Sequence, residues 1–197
     1  MAPRRFFLDV GSPYAYLAAE RIASRAVPLD VEWVPVLLGG IFRARGRGSW
    51  ARTDARDEGM REIEARAASY GLPPMAWPSV WPNDGLMAMR AATAADMDGT
   101  GRAFVLAAMR VAFRDGRNLE ERDALAAAAR EAGLDADALL ARAVDPDVRA
   151  RLRERTEEAL ATGVFGVPTV VVGDAVFWGD DRLVDAATAA ARPPAAL

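Results

Sequence analysis

Apolar positions at the two ends of the chain follow the spacing of strands, and between them they follow the spacing of helices. "RFFLDV" (5–10) reads as a strand. "PYAYLAAERIASRA" (13–26) reads as an amphipathic helix with Pro13 in its first turn, where a missing N–H is tolerated, and "LDVEWVPVLL" (29–38) as a second strand. So short a βαβ unit predicts a parallel pair with a right-handed crossover. The glycine- and arginine-rich "GGIFRARGRGS" (39–49) is expected to be a mobile loop, and a helix over about 53–70 is closed by Gly71. "LPPMAWPSVWPNDG" (72–85), with four prolines, is expected to cross the surface as an extended connection.

Helical patterns follow at about 86–98, 101–115, 119–132, 136–143 and 147–162. Asn118 with Glu121 reads as a capping pair, Asp145-Pro146 as a cap followed by a first-turn proline, and Gly163 as a helix end. From 168 the period returns to that of strands: "PTVVV" and "AVFW" are joined by Gly173-Asp174, a two-residue hairpin signal, and a last helix runs from about 180 to 191. The fold class that results is α/β. A thioredoxin-like βαβ…ββα sheet is split by a large helical insertion, with residues 1–38 and 164–197 forming the thioredoxin-like part and 39–163 the connecting loop and insert. In that order the turn at Gly11-Ser12 and the turn before Pro168 meet at one edge of the sheet and form one site.

Composition narrows the chemistry. The 197 residues are 52% hydrophobic and 27% charged with a formal charge of -3, as in an ordinary globular protein. All 25 basic residues are arginine, scattered among acids rather than gathered in a block, so no nucleic-acid partner is expected. Nor is a membrane partner: apolar runs are short, "MAPRRFFLDV" runs from two arginines into a strand pattern rather than a signal-peptide core, and the expected location is cytoplasmic. With no cysteine and no histidine, the protein has no disulfides, thiolate nucleophiles, imidazole bases or usual zinc ligands.

"FFLDVGSPYAYLA" and "GVFGVPTVVVGDAVFWGDDRL", supported by "PVLLGGIFRARG" and "LMAMRAATAA", resemble the 2-hydroxychromene-2-carboxylate isomerase family, relatives of kappa-class glutathione transferases and DsbA-like oxidoreductases. "SPYA" (12–15) stands where DsbA-like relatives carry Cys-Pro-x-Cys, so Ser12 replaces the attacking cysteine and Ala15 the resolving one. A serine hydroxyl cannot exchange disulfides. At a helix N-terminus it can donate to an anion, and one such bond, worth about 1.5–3 kcal/mol, lowers a bound thiol's pKa by about one to two units.

The resemblance implies a glutathione-dependent cis–trans isomerase of an aromatic-catabolism intermediate, commonly a homodimer, with glutathione or another small thiol as cofactor. It makes Ser12 catalytic, pairs the Val167 backbone and cis-Pro168 with the cysteinyl backbone of glutathione, puts Asp181 on the γ-glutamyl amine with Arg182 nearby, and brings Arg56 close to the place of a ligand-binding lysine. Tyr14, Trp77, Trp81 and Asp84 are candidate substrate-pocket residues. Structural alternatives stand beside these roles: Ser12, Asp180 and Asp181 as helix caps, Val167-Pro168 as an ordinary strand start, Tyr14, Tyr16 and Trp178 as core or pocket wall, and Trp77 and Trp81 as packing under a loop. The chain also departs from the family, since "RARGRGSWARTDARDEGM" contains neither the usual asparagine nor the usual lysine, and "NDGL" places Asp84 and Gly85 where Asn-Thr or Asn-Ser is usual. A kappa-like transferase, a non-catalytic thiol-binding protein and a scaffold without a thiol ligand therefore remain open.

Overall fold

The computed structural model describes residues 4–191. Its sheet has four strands in the order β2-β1-β3-β4, with β1 Arg4–Leu8, β2 Glu32–Pro35, β3 Thr169–Val172 and β4 Ala175–Trp178. β1 and β2 are parallel and joined through helix α1 (Pro13–Ala23), as the short βαβ unit requires. β3 is antiparallel to β1 and turns into β4 at Gly173-Asp174, where Gly173 takes φ +59°, a value that favours glycine. The sheet strands are shorter than the apolar runs that predict them.

Successive residues of β1 face opposite ways. Phe6 and Leu8 enter the large core beneath α1, together with Trp33 and Val170, whereas Phe7 points to the other face with Val34, Val36 and Val171. Complete burial of a side chain such as Phe6 contributes about 2–3 kcal/mol. The large core continues without a break into α4 (Leu86–Met97) and α5 (Gly101–Phe113) through Met89, Phe104 and Phe113, so the sheet and the inserted helices share one apolar interior. On the opposite face Ala159 of α8 (Pro146–Ala161) packs beside Phe7 and Val34.

Two segments differ from their sequence reading. Residues 39–49 are not a mobile loop: α2 spans Leu38–Ala44, and a 3-10 turn follows at Trp50–Arg52. Tertiary contacts hold this helix despite its glycines, since the Asp9 carboxylate accepts from the Leu38 N–H at 2.9 Å and Thr156 Oγ1 of α8 accepts from the Leu37 N–H at 3.1 Å. Asn118 is not a helix cap either. Its side-chain oxygen accepts from Asn83 at 2.6 Å and from the Glu120 N–H at 3.0 Å, tying the proline-rich connection to the insert, and α6 (Arg122–Glu131) begins later than its apolar pattern.

The remaining helices are α3 (Arg56–Ser69), α7 (Ala136–Arg142) and α9 (Leu183–Ala191), the last preceded by a 3-10 turn at Asp180–Arg182. No helix among the described residues is long and apolar enough to cross a membrane.

Candidate functional site

A cleft of about 1020 Å³ opens at the sheet edge where the β1–α1 turn meets the segment before β3. Gly11, Ser12 and Tyr14 line it from one side, Gly166, Val167 and Pro168 from another, and Asp181 and Arg182 from the β4–α9 turn. The juxtaposition expected from strand order is therefore present.

Ser12 is buried at the N-terminus of α1, and its Oγ accepts from the Ala15 N–H at 3.3 Å. That bond uses an acceptor site and leaves the hydroxyl proton for a ligand. Helix capping and ligand donation are thus compatible in one side chain. The Val167–Pro168 peptide is cis. Pro168 accepts from the Gly179 N–H at 2.9 Å, whereas the Val167 N–H and C=O have no partner among the described residues and stay available to an extended ligand.

Asp180 and Asp181 separate in role. Asp180 is buried, accepts from Tyr70 Oη at 2.8 Å and from Arg66 Nη1 at 3.0 Å, and its backbone carbonyl accepts from Arg21 at 2.6 Å. Burial raises its pKa, while the Tyr70 hydroxyl and the Arg66 guanidinium pull it back. Its carboxylate is committed to the scaffold. Asp181 is exposed to the cleft, with Oδ1 4.0 Å from Arg66 Nη1. Glu62 sits on the same guanidinium at 2.7 Å. Three carboxylates around one guanidinium leave this end of the cleft net negative, which suits an ammonium group.

Tyr14 and Trp81 are in the wall as expected. Tyr14 packs edge-on to Trp50 at 6.1 Å, Trp50 lies 5.7 Å from Trp81, and Trp81 Nε1 donates to the Gly11 carbonyl at 3.2 Å. Burial is the main cause that raises the Tyr14 pKa, so its hydroxyl stays protonated at neutral pH and can donate. Asp84 lines the cleft, but its Oδ1 accepts from the Leu86 N–H at 3.0 Å at the start of α4.

Two expected residues are not in the lining. Arg56, at the first turn of α3, is drawn away from the cleft: its Nε donates to the Trp81 carbonyl at 3.1 Å and its Nη1 to Asp57 at 3.3 Å. Trp77 stands behind Trp81, with ring centroids 4.8 Å apart, and donates to Glu64 at 2.7 Å. Both support the wall from outside.

Sequence reasoning missed several lining residues. Asp9 is 6% exposed, and its carboxylate accepts from the Gly11 N–H and the Leu38 N–H, both at 2.9 Å, which joins the Ser12 turn to the start of α2. Desolvation pushes its pKa up to about 6 against the lowering effect of those two bonds. Arg43, Arg47, Trp50, Arg52, Glu62 and Arg66 also line the cleft. A helical reading of 38–44 was the signal that could have found Arg43, whereas Arg47 lies past the helix end, beyond Gly46 at φ +62°.

Trp50 owes its place to Gly59 of α3. A Cβ on Gly59 would overlap the Trp50 ring at Cζ3, so Gly59→Ala is expected to push the indole into the cleft at a cost of about 1–3 kcal/mol. Denaturant unfolding and a shift in tryptophan emission check this, and an unchanged spectrum contradicts it.

Fold and site together define a thioredoxin-like protein with a serine at the N-terminus of α1 in the cleft and no cysteine anywhere in the chain. The DSBA-like thioredoxin domain family matches residues 5–190, and the chain belongs to it. A 2-hydroxychromene-2-carboxylate isomerase from Sphingobium xenophagum is 30% identical over 184 residues, covering 90% of this chain and 92% of that protein. A solved structure of 2-hydroxychromene-2-carboxylate isomerase superposes with a TM-score of 0.82 at 24% identity, covering 94% of this chain and 93% of that one. The cytosolic disulfide reductase DsbM from Pseudomonas aeruginosa, solved with glutathione, has the same fold, with a TM-score of 0.66 at 20% identity over 96% of each chain.

Proposed function

We propose that the protein is a glutathione-dependent cis–trans isomerase acting on an aromatic-catabolism intermediate of the 2-hydroxychromene-2-carboxylate type. The observation that carries this reading is the serine at the α1 N-terminus, facing the cis Val167–Pro168 segment across a cleft that contains no protein thiol. The relatives' activity supports the reaction class.

The residues present fit glutathione. An unpaired N–H and C=O at Val167 suit a cysteinyl backbone added as a short strand, and the acidic end around Asp181 suits the γ-glutamyl ammonium. When bound, glutathione supplies a thiolate that adds to and then leaves an activated double bond, permitting rotation in between. Ser12 donates a hydrogen bond to the sulfur. The α1 N-terminus adds a positive dipole end, and Tyr14, Trp50 and Trp81 offer aromatic walls to the second substrate.

Calorimetric titration with glutathione tests the reading: binding at millimolar concentration or below is expected, and failure to bind contradicts it. Asp181→Asn is expected to weaken glutathione binding about tenfold with little change in kcat, since its partner lies away from the sulfur. An unchanged affinity removes Asp181 from the site.

A further inference from the structure

Charge is divided unevenly inside the cleft. Its acidic end carries arginines that are already paired: Arg66 with Glu62 and Asp180, and Arg182 with Asp185 at 2.5 Å. The wall built by α2, the 3-10 turn and the segment between them is different. Arg43, Arg47 and Arg52 all line the cleft, all are exposed, and none has a carboxylate within 4.0 Å among the described residues. Phe42, Trp50 and Leu86 lie in the same lining. An aromatic surface is thus set beside three uncompensated positive charges.

One carboxylate is satisfied by one guanidinium fork. A single carboxylate engaging one fork leaves the other two arginines of the wall unpaired, whereas a second anionic group can engage another. The wall is exposed and screened by water and salt, so the preference is electrostatic and weakens as salt rises.

Resting on the isomerase reading above, we infer that the second substrate keeps the single carboxylate of the 2-hydroxychromene-2-carboxylate type and carries a second carboxylate on the same ring frame, and that Arg43, Arg47 and Arg52 select this dianion over the singly charged parent. The acidic end around Asp181 stays with the thiol ligand.

The test is calorimetric titration of the full chain with 2-naphthoate and with 2,6-naphthalenedicarboxylate, in low salt and in high salt, with and without saturating glutathione. The dicarboxylate is expected to bind at least about tenfold more tightly in low salt, and the advantage to shrink in high salt. It is also expected to fall below about threefold in Arg43→Gln and Arg47→Gln, with thermal unfolding unchanged because both side chains are exposed. The advantage must persist when glutathione is bound. Equal affinity for the two probes overturns the inference, as does failure of both to bind at millimolar concentration, or an advantage that survives in both variants. Loss of the advantage on adding glutathione also overturns it, because the arginines would then belong to the thiol's own carboxylates. If glutathione does not bind but the dicarboxylate preference is intact, the thiol reading fails and the substrate class stands.

Discussion

Ser12→Ala is expected to lower kcat/KM for the glutathione-dependent reaction by about 10- to 100-fold, with a stability loss of no more than about 1 kcal/mol. The two effects separate because Ser12 uses different parts of its hydroxyl. Its oxygen accepts from the Ala15 N–H at 3.3 Å, a long bond whose loss costs little. Its proton is free to be donated to an anion in the cleft, and a charge-assisted bond of that kind is worth about 1.5–3 kcal/mol. Ser12→Cys is expected to recover little, since a thiol there can form a mixed disulfide with glutathione where only a donor is wanted. Steady-state kinetics and denaturant unfolding on the same preparations check both halves, and an Ala variant with full turnover reduces Ser12 to a cap.

The second large effect is a pH dependence set by Asp9. A free carboxyl of this kind ionises near pH 4, and burial at the cleft floor pushes Asp9 up to about 6. Between those values the native state binds the proton more tightly than the unfolded chain does. The contribution of Asp9 to stability is therefore complete below about pH 4 and is lost as the pH rises through about 6, a change on the order of 3 kcal/mol. Asp9→Asn cannot titrate. The stability of the wild type relative to Asp9→Asn, measured by denaturant unfolding, should thus be about 2 kcal/mol greater at pH 4 than at pH 7.5. Subtraction removes the carboxylates common to both proteins, and a gap that does not change with pH contradicts the burial argument.

What could be read from the chain alone was set by local periodicity and turn chemistry. Phe6, Phe7 and Leu8 announce a strand by themselves, and Gly173-Asp174 needs no distant contact to specify its hairpin. Helix α8 starts where Asp145-Pro146 says it should. The failures all depend on partners far away in sequence. The glycines of α2 argue for a loop until the Asp9 carboxylate and Thr156 meet the N–H groups at its start, contacts spanning 29 and 119 residues.

In the site, Ser12, Val167 and Pro168 were legible because strand order brings their two turns together. Arg56 was misplaced because proximity in sequence to an expected lysine says nothing about the direction in which α3 projects it, and the Trp81 carbonyl decides that direction. Asp9 gave no signal at all. An aspartate at a strand end is ordinarily solvated, and only the Leu38 N–H from another element accounts for its burial.

In the proposed mechanism a serine hydroxyl at a helix N-terminus stabilises the thiolate of bound glutathione. This role is tested most directly by following thiolate absorbance at about 240 nm through a pH titration of glutathione bound to the wild type and to Ser12→Ala. An apparent thiol pKa about one to two units lower in the wild type is expected. The same pKa in both proteins would contradict it.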